Sequence, residues 1–220
     1  MNFHLLTIFP DMLKSYTDKG MLRIAQEKKL INIKYHDLRA QAVDKHGTVD
    51  SPPFGGGVGQ VFRVEPIVKT LAKIRRKKNS KIVLLSAKGK TWNQSLAKKY
   101  SKLDQIIFVC PRYEGVDERV KQFIDDEISI GDYVLTGGDL GALVIMDSIS
   151  RLIPGVLGKE QSFIDESHST TGYLEYPQYT RPEIFKYKKK QYKVPEILLS
   201  GHHAEIEKWR KHQSSNLTKK

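Results

Sequence analysis

One cysteine in 220 residues excludes an internal disulfide, and no cluster of cysteine and histidine with zinc-site spacing accompanies it. No apolar run is longer than five residues, whereas a membrane-spanning helix needs about 20. The start, Met1-Asn2-Phe3-His4-Leu5-Leu6, lacks the basic head and long apolar stretch of a secretory signal. The expectation is therefore a cytoplasmic chain with no membrane partner. Acidic residues are also scarce, 25 Asp and Glu against 37 Lys and Arg, for a net charge of +12. The excess is uneven. Between Lys186 and Lys220 ten basic residues face three acidic ones, and a second cluster joins Lys73, Arg75, Arg76, Lys77 and Lys78. Concentrated positive charge is the footprint of a polyanion binder. A solvated lysine tail gives the same charge, so charge alone does not decide. A membrane surface fits less well, because the tail reads as lacking an apolar face of aromatics and leucines.

What is present is an alternation of strand-like and helix-like segments. Phe3–Phe9 is a short apolar run, and Ile31, Ile33 and Tyr35 alternate with polar neighbours. Val64, Ile67, Val68, Leu71 and Ile74 recur at helical spacing. Lys81–Ser86 and Gln105–Cys110 read as buried strands and Glu127–Ile130 as a short one. Thr91 is placed to cap a helix reaching Tyr100, a further helix carries Val116, Val120, Phe123 and Ile124, and a helix entered near Asp139 runs to about Ile153 before Pro154-Gly155 ends it. Such β–α alternation predicts an α/β fold, a mostly parallel sheet with helices on both faces. From Gly155 to Gly172 the chain turns polar for about 18 residues, longer than an ordinary connection in a compact domain. The organisation expected is a first, ligand-binding domain over 1–157, a flexible linker over 158–172, and over 173–220 a small basic helical domain, including Ala204–His212, whose Lys and Arg fit docking to RNA phosphates.

Four glycine-bearing segments invite a ligand-site reading. Gly55-Gly56-Gly57-Val58-Gly59 follows Ser51-Pro52-Pro53 with no strand leading into it, so it fails the context of a dinucleotide fingerprint. Leu84–Thr91 has the outline of a nucleotide-binding P-loop, but Leu84 stands where that loop needs glycine to wrap phosphates. An NTPase is accordingly disfavoured. Cys110-Pro111-Arg112-Tyr113-Glu114-Gly115 ends one strand, and Ser129–Asp139, with Gly131, Gly137 and Gly138, leaves another and enters a helix. Ligands in open α/β sheets bind outside the carboxyl ends of strands. Glycines there let backbone N–H and C=O groups approach a ligand without an intervening Cβ. Taken singly, each segment is equally well read as a tight turn.

Together they resemble a known family. C-P-R-Y-E-G-V-D-E-R-V (Cys110–Val120), S-I-G-D-Y-V-L-T-G-G-D (Ser129–Asp139), S-R-L-I-P-G-V-L-G (Ser150–Gly158), L-E-Y-P-Q-Y-T-R-P (Leu174–Pro182) and V-P-E-I-L-L-S-G-H-H-A-E-I (Val194–Ile206) stand in order, with Thr7–Pro10 and the glycine run before them. This pattern resembles the bacterial tRNA (guanine-37-N1)-methyltransferases, members of the trefoil-knotted SPOUT methyltransferases. The resemblance implies a C-terminal trefoil knot in the first domain, S-adenosylmethionine as donor with a place for Mg2+, a homodimer with the active site between subunits, and a tRNA anticodon stem-loop as substrate. A related SPOUT enzyme acting on another base, and a non-catalytic RNA-binding protein, are the rival readings.

The resemblance also implies site residues. The donor site maps onto Leu84, Leu85, Ser86, Gly89, Pro111, Tyr113, Glu114, Gly115, Ile130, Gly131, Asp132, Tyr133, Val134, Leu135, Gly137 and Gly138. N1 of guanine carries a proton, so its methylation needs a general base and a cation for charge developing toward O6. The cation implied is Arg151. The family has an aspartate immediately before a serine as base; here Asp165-Glu166-Ser167 puts glutamate in that place. Glu166 holds the aligned position and Asp165 the usual residue type, and both are candidates, Glu166 first. Pro111 stands where glycine is usual, which removes a backbone N–H and leaves its carbonyl for a ligand.

Overall fold

The computed structural model describes residues 1–157, 166–170 and 172–218. The chain divides into two compact units, Met1–Gly158 and Lys159–Lys220. In the first, β1 (Asn2–Thr7) leads through α1 (Pro10–Thr17) and α2 (Gly20–Glu27) to β2 (Asn32–Asp37). Two short strands, β3 (Asp50–Ser51) and β4 (Val61–Phe62), pair antiparallel around the glycine run and precede α3 (Val64–Ala72). Then come β5 (Ser80–Thr91), α4 (Gln94–Tyr100), β6 (Gln105–Val109), a 3-10 turn over Glu118–Phe123, β7 (Asp126–Ser129) and α5 (Asp139–Ser150). The five long strands form one sheet in the order β2-β1-β6-β5-β7, parallel throughout.

Strand alternation divides the core in two. Phe3, Leu5, Val83, Leu85, Ile106 and Phe108 point to one face, where Leu13 of α1, Leu22 of α2 and Ala142, Ile145 and Met146 of α5 cover them. Leu6, Ile82, Leu84, Ile107 and Val109 point to the other, against Ile67 of α3 and Val120 of the 3-10 turn. A sheet covered on both faces has strands that read as near-continuous apolar runs, as Ile82–Leu85 and Ile106–Val109 do. Phe108 is fully buried, and truncating such a ring to alanine costs about 3–5 kcal/mol.

Several local expectations are corrected. Thr91 does not cap α4; it is the last residue of β5, and the Asn93 side chain accepts from Leu96 N at 3.0 Å. The segment expected as a helix carrying Val116, Val120, Phe123 and Ile124 is a 3-10 turn over Glu118–Phe123 alone, entered at Asp117, whose side chain accepts from Arg119 N, and left at Ile124, which is extended. Strand β5 also disposes of the P-loop outline, since Lys90 and Thr91 pair with Ile128 and Ser129 of β7 where a P-loop would start its helix.

At the sheet's N-terminal edge a polar chain is buried. Lys77 N donates to Gln105 Oε1 at 2.7 Å, which fixes the amide so that its Nε2 faces His4 Nε2 at 3.1 Å. His4 Nε2 must then accept, so His4 is neutral and its Nδ1–H donates to His36 Nε2 at 2.9 Å. Burial first, then His36, Lys34 and Lys77, push the His4 pKa down to about 4.

The second unit holds a hairpin, β8 (Ile184–Tyr187) with β9 (Lys190–Lys193), then α6 (Glu196–Leu199) and α7 (His203–Thr218). It is thus helical only in its latter part. Among its described residues no apolar side chain is buried; Ser214 alone is, donating to Leu174 O at 2.5 Å. Arg210 lies 4.8 Å from the Tyr176 ring and Trp209 packs against Tyr179. The hairpin also corrects the view that the basic tail lacks an aromatic face: Phe185, Tyr187 and Tyr192 cluster there, half exposed.

Candidate functional site

A bulge within β5 and the loops that leave β6 and β7 at their carboxyl ends meet the start of α5. Leu85 and Lys90 of β5 both register with Ile128, so the residues between them bulge from the sheet. That bulge carries Ser86, Ala87 and Lys88 to the rim of a cavity of about 360 Å³. Gly89 closes it. A Cβ at position 89 would stand 2.5 Å from Ile128 N, so only glycine lets the two backbones cross.

After β6, Pro111–Gly115 turns sharply, with Tyr113 and Gly115 at positive φ (58° and 111°). Gly115 N donates to Arg112 O at 3.1 Å, and Glu114 N donates to Gln60 O at 3.0 Å, which ties this loop to the residue following the glycine run. The glycine run therefore lies beside the site: a Cβ on Gly59 would stand 2.7 Å from Glu114 Cγ. After β7, Ser129 Oγ donates to Gly131 O at 2.9 Å, folding the next loop back on itself. Gly138 N donates to Pro111 O at 2.8 Å. The Pro111 carbonyl expected to be left for a ligand is thus already shared with the protein.

A buried ion pair locks these loops together. Asp139, 1% exposed at the first turn of α5, accepts from Arg112 Nε at 2.8 Å and from Thr7 Oγ1 at 2.5 Å. The Thr7 hydroxyl in turn accepts from Phe9 N at 3.0 Å, and the Arg112 guanidinium lies 4.9 Å from the Phe9 ring. The carboxylate also sits favourably at a helix N-terminus. Three segments distant in sequence are joined by one side chain.

Of the sixteen donor-site residues expected from the sequence, all but Gly89 and Asp132 line the cavity: Leu84, Leu85, Ser86, Pro111, Tyr113, Glu114, Gly115, Ile130, Gly131, Tyr133, Val134, Leu135, Gly137 and Gly138. Asp132 is exposed beside it. Among the residues the structure adds to the lining are Arg112, Glu118, Lys121, Glu127 and Gly141. Lys121 Nζ lies 2.9 Å from Glu118 and 3.1 Å from Glu127. Burial would raise the Glu127 pKa, but hydrogen bonds from Ser86 and Lys121 outweigh it and hold the carboxyl below its usual range. One end of the cavity is thus charged and paired. The other is walled by Tyr133, Val134 and Leu135, all substantially exposed. Such a mixed concavity suits a small molecule with a flat apolar part and a polar tail. The sequence signals for Arg112 and Asp139 lay inside recognised motifs, but their pairing is non-local and no spacing rule reveals it.

A second, more open concavity of about 680 Å³ adjoins the first and shares Ile130, Tyr133 and Leu135 with it. Arg151, which follows α5, lines it with Asp147, Leu140 and Val144. Arg151 thus shares this concavity with Ile130, Tyr133 and Leu135 of the glycine-rich loop. Glu166 belongs to the second unit, in a turn where Ser169 N donates to Glu166 O at 2.9 Å. Asp165 lies outside the described residues. Among the described residues no three Asp, Glu, His or Cys side chains group as a metal cage, and no helix is long and apolar enough to cross a membrane.

The whole chain matches known proteins. The family described as tRNA (Guanine-1)-methyltransferase TrmD matches residues 1–220. A protein of Clostridium botulinum (strain Alaska E43 / Type E3) named tRNA (guanine-N(1)-)-methyltransferase is 49% identical over 218 residues, which cover 99% of this chain and 89% of the relative. Like-named proteins of Clostridium tetani (49% over 216 residues, 98% and 88%) and Geobacter sp. strain M21 (47% over 220 residues, 99% and 86%) are similar to the same extent. With residues 1–220 matched by the family and relatives near half identical over almost their whole length, this chain belongs to the tRNA (Guanine-1)-methyltransferase TrmD family.

Proposed function

We propose that the protein methylates N1 of guanine in tRNA, at position 37 beside the anticodon, with S-adenosylmethionine as donor. The observation that carries this is the convergence on one cavity of the β5 bulge and the loops after β6 and β7, in a chain of this family. Its volume of about 360 Å³ lies in the range of small-molecule sites, about 300–1,000 Å³. Gly115, Gly137 and Gly138 keep that part of the lining free of side chains, so a flat ring can lie close to the backbone, and Tyr133 and Leu135 can cover it. The sulfonium supplies a methyl group that is already activated, so what the protein adds is alignment for in-line attack.

The remaining work falls to side chains. Glu166, or Asp165 next to it, takes the N1 proton, and Arg151 stabilises charge toward O6; a general base of this kind is worth about 100- to 10,000-fold in rate. Leu140 and Val144, exposed one turn apart on α5 beside Arg151, support a homodimer that covers this face and builds the active site between subunits. A trefoil-knotted chain path in the first unit and residence in the cytoplasm complete the reading, both supported by family membership. For magnesium, Glu114 in the cavity offers one carboxylate, and this ion commonly binds one or two with several waters. An unchanged rate in EDTA removes it from the proposal.

The test is methylation of a guanine-37 tRNA transcript, with the product base identified by mass. Product at N1 of guanine-37 is expected; product on another base shifts the reading to a related RNA methyltransferase. Failure to bind S-adenosylmethionine in calorimetry leaves a non-catalytic RNA-binding protein. Single-turnover rates for Glu166→Ala and Asp165→Ala locate the base, and wild-type rates in both overturn its assignment.

A further inference from the structure

Asp147 has no part in the chemistry above, although it lines the same concavity as Arg151. The two stand one turn apart at the end of α5, where Arg151 N donates to Asp147 O at 3.2 Å. Residues four apart on a helix share a face, and Leu140 and Val144 carry that face back toward the helix start. Among the described residues that line the concavity, Asp147 is the one carboxylate and Arg151 the one cation.

The carboxylate is held from α1. Tyr16 Oη donates to Asp147 Oδ1 at 3.3 Å. The Asp147 charge first, then burial and the hydrogen bond itself, raise the Tyr16 pKa, so the phenol keeps its proton and stays a donor. One donor uses little of a carboxylate, whose two oxygens can accept about four bonds. Ser148, next in the chain, is already engaged: its Oγ donates to Ile145 O at 2.8 Å and accepts from Trp92 Nε1 at 2.9 Å.

A cation beside an acceptor is the complement of one base edge. Guanine presents O6 as acceptor and its 2-amino group as donor, with N1–H between them. Adenine has no 2-amino group, and its N1 lone pair would face the carboxylate. Unpaired bases are read on this edge while rings or apolar groups cover their faces. Tyr133 and Leu135 belong to the lining of both concavities, so a base held in the second borders on the first.

We infer that Asp147 is a specificity-determining residue for the target base, accepting from the guanine 2-amino group while Arg151 faces O6, with Tyr16 orienting the carboxylate. This rests on the guanine-methylation reading above. The test compares single-turnover rates of the full chain on guanine-37 and inosine-37 transcripts. Inosine keeps O6 and N1–H and lacks only the amino group. The wild type should favour guanine by about tenfold to a hundredfold, the worth of a hydrogen bond to a charged group. Asp147→Ala should lose that rate on guanine-37 and little on inosine-37, bringing the ratio to about one. A ratio taken within one variant cancels any loss of folded protein, and a packing role would lower both rates alike. Tyr16→Phe keeps the ring and releases the carboxylate, and should cut the ratio by about threefold. S-adenosylmethionine affinity in calorimetry should match the wild type in both variants. A wild-type ratio in Asp147→Ala, or a wild-type chain indifferent to the amino group, overturns the inference and leaves the methyltransferase reading intact. A wild-type chain that methylates no guanine-37 overturns both. Dissociation of a dimer by Asp147→Ala with the ratio unchanged assigns the carboxylate to a subunit contact and also overturns the inference.

Discussion

The two units solve different problems with different materials. The cavity in Met1–Gly158 is shaped by backbone: glycines that let strand ends cross, loop amides bonded to neighbouring loops, and Asp139 holding Arg112 and Thr7 from beneath. In Lys159–Lys220 the distinctive features are side chains standing in solvent, with no apolar residue buried among those described. A site that must fit one small molecule benefits from atoms fixed before the ligand arrives. A surface for a large flexible polyanion can adapt instead, since salt-dependent phosphate contacts tolerate small displacements.

That contrast can be broken by substitution, and the largest effect is expected at Asp139. Asp139→Ala leaves the Arg112 guanidinium, largely buried, without its carboxylate, and losing one partner of a buried pair costs about 3–5 kcal/mol. Urea unfolding measures it, and a loss below about 1 kcal/mol would show that the loops hold without the lock. Next comes acid. The folded pKa of His4, about 4, lies below the 6.5 of an unperturbed imidazole, so between these values the unfolded chain binds the extra proton. Stability is full above about pH 6.5 and falls as pH drops toward 4, by up to about 3 kcal/mol. Melting curves from pH 7.5 to 4.5 should show this, and His4→Gln should flatten them.

A smaller effect is expected at Gly138, where a new Cβ would stand 2.8 Å from Leu85 Cβ and 3.1 Å from Cys110 Cα. Gly138→Ala should cost about 1–3 kcal/mol and weaken S-adenosylmethionine binding in calorimetry; unchanged affinity would mean the strand ends shift freely. The smallest belongs to the second unit. Lys208 and Glu205 meet at 2.7 Å, both exposed, and Lys208→Ala should leave the urea midpoint close to that of the wild type. A clearly lowered midpoint would mean that α7 depends on its surface charges as the first unit depends on Asp139.

The parallel sheet was legible because Ile82–Leu85 and Ile106–Val109 are apolar runs of strand length, and the cavity because its motifs are contiguous. What escaped depends on contacts remote in the chain. Helices α1 and α2 span eight residues each, too short for their apolar spacing to stand out. The extension of β5 to Thr91 is set by pairing with β7, and the Arg112–Asp139 pair by the meeting of two loops. The hairpin hid behind its lysines, which read as a solvated tail until cross-strand register put three rings together. The proposed base, Glu166 or Asp165, follows from motif alignment alone, and Asp165 lies outside the described residues.

The protein's single thiol lies under these crossing loops. Cys110 is fully enclosed, and burial, with Asp139 adding and Arg112 opposing, pushes its pKa well above the usual thiol range. Native protein should therefore resist alkylation almost completely, since the thiolate is the reactive form. The consequence is a built-in stopwatch: the rate at which a thiol reagent marks Cys110 reports how often the strand ends part, and a bound ligand that braces Gly138 should slow it.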